Sequence, residues 1–131
     1  MRLVIDASAC LEVCLAANGF ALLGDHELLA PPLIRSEVLS ALRTLDWRRG
    51  VSVELVTQAR ARIPTMPIDF EVGPEHMARS WSVASRLGWA RTYDAEYVAL
   101  AEHLDVPLLS VDLRLQRGAG AIVQIVSPSD I

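Results

Sequence analysis

Four acids interrupt an otherwise apolar chain. Asp6 follows "RLVI", Glu37 lies in "SEVLSALRTLDWRRG", Asp94 opens "DAEYVALAEHL" and Asp112 closes "VPLLSVD". Oxygen-only donors of this kind suit hard cations such as Mg²⁺ or Mn²⁺ and not zinc. Such an ion orients a phosphodiester, activates water and neutralises the charge that develops on phosphate oxygens. The chemistry these residues offer is therefore metal-dependent phosphodiester hydrolysis, if they meet in space. No other set competes with them. His26, His76 and His103 are scattered and are expected to face solvent, and no serine has a histidine partner in sight. Cys10 and Cys14 lie four apart in one predicted helix, a spacing that rarely suits a disulfide, and no further ligands complete a zinc site. They read as small core residues.

The elements that must position these acids follow from periodicity and punctuation. "RLVI" at 2–5 is a short β-branched run and reads as a buried strand. "SACLEVCLAANG" at 8–19 reads as a helix that begins at a serine and stops at a glycine. A short helix or turn in 21–32 precedes a brief strand at 27–30, and Pro32 opens a helix ending at "RRG", 48–50. Further helices are predicted over 52–63, stopped by Pro64, and over 73–88, with proline inside its start and glycine at its end. "MPIDFEV" at 66–72 is a candidate strand. A helix over 93–104, a strand over 107–111, a helical turn near 113–117 and a strand over 121–127 complete the chain. Alternation of this kind indicates an α/β fold whose central sheet is mostly parallel, with about five short strands flanked by helices.

That architecture decides whether the acids can meet. A helix of about 12 residues at ~1.5 Å each and a strand of about five at ~3.3 Å each both span roughly 16–18 Å. Helix 93–104 runs down the sheet and strand 107–111 returns, so Asp94 and Asp112 come back to one level at the carboxyl edge. Asp6 ends the first strand at that edge, and Glu37 lies in the second turn of the helix after strand 27–30. Open α/β sheets bind ligands outside the carboxyl ends of their strands. By helical phase Asp94 shares an arc with Tyr97, Val98 and Ala101, whereas Glu96 and His103 point outward. Glu37 lies at the margin of the stripe formed by Ile34, Val38, Ala41 and Leu45. An inward carboxylate is costly unless paired or bound to metal. Structural uses compete with the functional one: Asp6 and Asp112 suit helix caps, Asp94 suits the positive end of a helix dipole, and Glu37 suits an arginine partner.

With 131 residues, 52% of them hydrophobic, the chain is expected to be a single globular domain over 1–131. No apolar run approaches the ~18 residues needed to span a bilayer, and "MRLVIDAS" lacks the apolar region of a signal peptide, so the cytoplasm is the expected location. The net charge is −4, and all twelve cations are arginine. An acidic total usually argues against a nucleic-acid partner, less so where acids are gathered to hold cations. Arg35, Arg91, Arg114 and Arg117 are the candidates to contact a polyanion, with Arg91 favoured because it lies just before Asp94.

"VIDAS" at 4–8, "SEVLSALRTLDWRRG" at 36–50, "RTYDAEYVALAEHLDVPLL" at 91–109 and "SVD" at 110–112 resemble the PIN-domain ribonucleases, within them the VapC-type toxins of bacterial toxin–antitoxin pairs. The third stretch is the most specific. The resemblance implies a PIN-like fold and a Mg²⁺- or Mn²⁺-dependent endoribonuclease. Its acidic quartet maps to Asp6, Glu37, Asp94 and Asp112, as catalytic residues and metal ligands. It also implies an RNA substrate, a homodimer and a cognate antitoxin protein. Ser8 and Ser110 match small hydroxyl positions beside the acids and, with Arg91, are the residues expected to orient ligand or substrate.

Two other readings compete. A haloacid-dehalogenase-like phosphatase also begins with a strand ending in aspartate, but it needs a second aspartate where Ser8 stands, and a lysine that this chain lacks. A catalytically inert PIN-like module would only bind a partner. An apolar surface made by Leu45, Trp47, Val53, Leu55 and Val56 is expected to be exposed in the monomer and to serve assembly.

Overall fold

The computed structural model describes residues 1–131 and holds one five-stranded sheet. Its strands are β1 (Arg2–Ile5), β2 (Glu27–Leu29), β3 (Ile68–Asp69), β4 (Leu108–Leu109) and β5 (Ile125–Val126). They lie in the order β3-β2-β1-β4-β5, and every pairing is parallel. β1 is central, and its Leu3, Val4 and Ile5 are fully buried, as a strand covered on both faces requires. The register sets Val4 beside Leu29 and Ile5 beside Leu109, so the carboxyl ends of β2, β1 and β4 finish together.

Six α-helices flank the sheet: α1 (Ala7–Leu15), α2 (Ile34–Trp47), α3 (Val53–Arg62), α4 (His76–Leu87), α5 (Tyr93–Leu104) and α6 (Leu113–Ala119). α1 packs on α2 and α3, while α4 lies along α5, which rests on β1 and β4. The expected α/β architecture is thus met, with a sheet parallel throughout.

Several boundaries differ from the sequence expectation for local reasons. The first helix starts at Asp6, not Ser8: Asp6 has extended backbone angles, and its Oδ1 accepts the Ala9 N–H at 2.9 Å. It stops at Leu15 because Arg62 of α3 donates to the carbonyls of Cys14, Ala16 and Ala17, which replaces the missing helical donors. The chain then makes a 3₁₀ turn over Gly19–Leu23. Gly19 is required there, since its φ is +53° and a Cβ would stand 2.8 Å from the Arg62 guanidinium carbon. Strands expected over 66–72 and 121–127 shrink to two residues each; both are edge strands, and Pro67 and Pro128 flank them. Gly88 closes α4 in the left-handed conformation at φ +69°.

Cys10 and Cys14 are free and buried, as expected for core residues. Three other expectations fail. His76 is buried, not solvent-facing, and its Nε2 lies 3.2 Å from Glu96 Oε1. That contact holds Glu96, expected to point outward, half-buried between α4 and α5. Within the expected apolar surface, Trp47, Val53 and Leu55 are exposed, but Val56 turns inward to the core.

Candidate functional site

The parallel sheet delivers the four acids to its carboxyl edge by three routes. Asp6 leaves β1 and Asp112 follows β4, the neighbouring strand. Glu37 and Asp94 stand in the first turns of α2 and α5. They act on one another electrostatically: Asp112 on Asp6 and Asp94, and Asp94 and Asp6 on Glu37.

Asp6 is the most buried of the four. Both its oxygens are occupied. Oδ1 accepts from the Ser8 hydroxyl at 2.7 Å and from the Ala9 N–H, while Oδ2 accepts from the Ser110 hydroxyl at 2.5 Å. Ser8 and Ser110 are themselves held, since their oxygens accept the backbone N–H groups of Val111 at 3.1 Å and Asp112 at 3.0 Å. The two serines thus splice the ends of β1 and β4 together around Asp6, spending their hydroxyl protons on that carboxylate. Burial raises the Asp6 pKa above the ordinary carboxylate range, more than these bonds lower it.

Glu37 and Asp94 line a cleft of about 520 Å³, together with Trp89, Arg91, Tyr93 and Arg114 among others. Asp94, expected on an inward arc, is instead solvent-exposed at the rim of the cleft, while Glu37 is half-buried. Partial desolvation in the cleft raises the pKa of both, aided by the neighbouring carboxylates. Glu37 finds no arginine; instead the buried Tyr97 hydroxyl donates to its Oε1 at 2.5 Å. Burial and this carboxylate in turn push the Tyr97 phenol well above its usual range.

Asp112 lines a second hollow with Ser110 and Gln116. Its Oδ1 caps α6 by accepting from the N–H groups of Arg114 and Leu115, and its Oδ2 meets the Arg114 guanidinium at 3.1 Å. Burial works to raise this carboxyl, but the bonds from Arg114 outweigh it and hold the pKa below the ordinary range. Asp112 is the one acid of the four that already carries a cation.

The capping roles expected as alternatives for Asp6 and Asp112 are therefore present, and they do not exclude the chemical ones, because a cap uses only part of a carboxylate. No three acidic, histidine or cysteine side chains stand close enough together to cage a metal ion in this conformation. The donor set nevertheless fits a hard cation. It is made of oxygen only, and three of its acids are raised by burial and like charge, which is the field a divalent cation relieves.

Of the other candidates, Arg91 and Arg114 border the cleft with Glu37 and Asp94. Arg35 stacks its guanidinium on Phe70, 4.1 Å from the ring centroid, and Arg117 lies in α6 outside the cleft. Sequence reading missed Tyr97 as the partner of Glu37; the signal was an (i, i+3) spacing from Asp94 that placed both on one arc of the helix. The cleft aromatics Trp89 and Tyr93 were also missed, since a single aromatic beside a turn is not distinctive.

No helix is long and apolar enough to cross a membrane. Residues 3–121 match the PIN domain family. The chain is 37% identical over 119 residues to the VapC ribonuclease Mb0985 of Mycobacterium bovis, covering 86% of this chain and 87% of that one. It is 36% identical over 132 residues to ribonuclease VapC1 of Mycobacterium tuberculosis, covering 93% and 94%. The crystal structure of PAE2754 from Pyrobaculum aerophilum superposes with a TM-score of 0.69 at 21% identity, over 99% of this chain and 94% of that one, which supports the fold. With a parallel sheet that collects Asp6, Glu37, Asp94 and Asp112 at one edge, and these relatives along nearly its whole length, the chain belongs to the PIN-domain family, in its VapC-type branch.

Proposed function

We propose that this protein, as a single PIN domain over residues 1–131, is a cytoplasmic endoribonuclease dependent on Mg²⁺ or Mn²⁺ and the toxin half of a toxin–antitoxin pair. The observation that carries the reading is the placement of four carboxylates at the carboxyl edge of the sheet, after β1 and β4 and in the first turns of α2 and α5. The names of the relatives, ribonucleases at 36–37% identity, support the substrate class.

Asp6 and Asp94 would be the principal metal ligands, with Glu37 and Asp112 completing the site. A divalent ion held there supplies Lewis-acid polarisation of the phosphodiester and activation of the attacking water. The rest is work of the chain itself. Ser8 and Ser110 fix the Asp6 carboxylate in one orientation, so that it needs no reorganisation when a cation or substrate arrives. Tyr97 holds Glu37, which lines the cleft, by its Oε1. Arg114 neutralises Asp112 and, by rotating its exposed side chain off that carboxylate, can pass to a phosphate of the RNA. Arg91 contributes a second guanidinium at the cleft.

The protein is proposed to act as a homodimer and to be held inactive by a cognate antitoxin. Supporting this are the exposed apolar side chains Leu39 and Trp47 of α2 and Val53 and Leu55 of α3, a surface of the kind that proteins cover on association.

One observation favours a second reading, an inert PIN fold that only binds a partner: the carboxylates do not stand at ion-caging separation, and Arg114 already occupies Asp112. One experiment decides between them. Purified protein is incubated with total RNA with and without Mg²⁺, and new ends are mapped, beside Asp94→Asn as control. Mg²⁺-dependent ends that vanish in the variant support the ribonuclease. Their absence from the parent protein supports the inert module.

A further inference from the structure

The cleft shared by Glu37 and Asp94 is bordered by Trp89, Tyr93, Arg91 and Arg114, an unusual wall for an acidic site. The position of Trp89 is built in. Gly88 turns the chain at the end of α4 with φ +69°, and the Trp89 N–H donates to the Ala84 carbonyl at 2.9 Å. On the other side, α6 comes so close that a Cβ at Gly118 would stand 3.0 Å from the indole carbon Cζ2. A glycine inside a helix is a destabilising choice, and here it makes room for the edge of the ring. The indole rests against the core on one side while lining the cleft on the other. Tyr93, one residue before Asp94, leaves 58% of its surface exposed.

A net charge of −4 gives the chain no long-range attraction to RNA, and only Arg91 and Arg114 border the cleft as cations. The carboxylates repel the backbone wherever no cation intervenes. A contact that does not depend on charge adds affinity and position to these two cations, and stacking of a nucleobase on an aromatic face is such a contact. A cleft of about 520 Å³ is in the range that receives a small-molecule-sized group. It suits one splayed nucleotide, not the side of a duplex.

We infer that Trp89 and Tyr93 form a stacking platform for a nucleobase next to the scissile phosphate, with Arg91 meeting a neighbouring phosphate. The inference rests on the proposed ribonuclease reading. It names the side chains that hold the base, with Gly118 leaving room for the edge of the Trp89 ring.

The test separates binding from cleavage. In a Trp47→Phe, Trp81→Phe background Trp89 is the only tryptophan, and its fluorescence is followed in EDTA while a short oligoadenylate, a short oligouridylate or a blunt duplex of equal length is added. Quenching by the single strands and not by the duplex is expected. In the parent protein, Trp89→Ala should weaken single-strand binding by roughly five- to a hundredfold, and Trp89→Phe, which keeps a stacking face, should restore most of it. Tyr93→Ala, at an exposed position, should also weaken binding and covers the case in which Trp89→Ala fails to fold. Equal quenching by the duplex, or single-strand binding unchanged in the folded aromatic variants, overturns the inference. Selective quenching in a protein that never cleaves RNA would leave the platform standing and sink the ribonuclease. Mg²⁺-dependent cleavage insensitive to both aromatics would do the reverse.

Discussion

The Tyr97 hydroxyl of α5 donates to Glu37 Oε1 of α2 at 2.5 Å, tying together two helices whose residues are 60 apart in sequence. This bond lowers the Glu37 pKa against the larger effect of burial, which raises it. Tyr97→Phe removes the donor and almost no volume. It should cost about 1 kcal/mol of stability and push the Glu37 carboxyl further up. If Glu37 must be ionised for cleavage, the acid limb of the pH–rate profile moves to higher pH in the variant. An unshifted limb would remove Glu37 from the titrating groups that control activity.

Asp94→Asn tests the centre of the site. Cleavage of RNA in Mg²⁺ should fall by about 10²-fold or more, while thermal melting shows a folded protein as stable as the parent, because the side chain is exposed and the change only relieves repulsion from Asp112. Asp6→Asn should also abolish cleavage, but with a loss of stability. Its carboxylate accepts from Ser8, Ala9 and Ser110 together, and an amide offers only one accepting oxygen. Full activity in a folded Asp94→Asn would dismiss the assignment.

Stability of the metal-free protein should depend on pH with a definite sign. Asp6, Glu37 and Asp94 are raised, so the folded state holds their protons more tightly than the unfolded one. Between the ordinary carboxylate range and their raised values, stability falls as pH rises and recovers as pH is lowered. Asp112 is lowered and opposes this; its contribution is present above the ordinary range and is lost as pH falls through its folded value. Melting temperature in EDTA should therefore rise as pH is lowered from neutral towards the ordinary carboxylate range, with Asp112 alone working against it. Mg²⁺ should raise it at neutral pH, by linkage, and fail to do so in Asp94→Asn. A melting temperature indifferent to Mg²⁺ in the parent protein would speak against cation binding.

Arg114→Ala should separate two effects. Without its guanidinium the Asp112 carboxyl loses the partner that depresses it, and the acidic edge becomes more negative. The Mg²⁺ concentration that gives half the melting shift should fall, whereas RNA binding in EDTA should weaken. A variant in which both affinities drop together would show that Arg114 only shapes the loop.

Assembly can be read from sedimentation. Val53→Glu places a charge on the exposed side of α3, at a residue outside the cleft, and should convert the proposed homodimer to monomer while changing stability by no more than about 0.5 kcal/mol. A parent protein that is monomeric at high concentration would end the dimer proposal.

Much of this molecule was legible in the sequence, for a physical reason. Strand-to-helix alternation and the hydrophobic run of β1 require a parallel sheet, and in a parallel sheet a strand end and the start of the preceding helix return to one edge. That relation alone puts Asp6, Asp94 and Asp112 at one edge, and Glu37, early in the helix after β2, joins them there. What each acid touches was not legible. Periodicity sees one element at a time, so it could not foresee that Ser110, 104 residues away, would hold Asp6. Nor could it foresee that Tyr97 would take the place of an arginine on Glu37, or that Arg62 would end α1 by capping its carbonyls. His76 was misjudged for the same reason: its burial comes from the packing of α4 on α5 and its contact with Glu96. Local sequence determines which elements form and where they end on the sheet. The partners of each charge, and so its protonation and readiness for a cation, are decided only when helices distant in the chain are packed against one another.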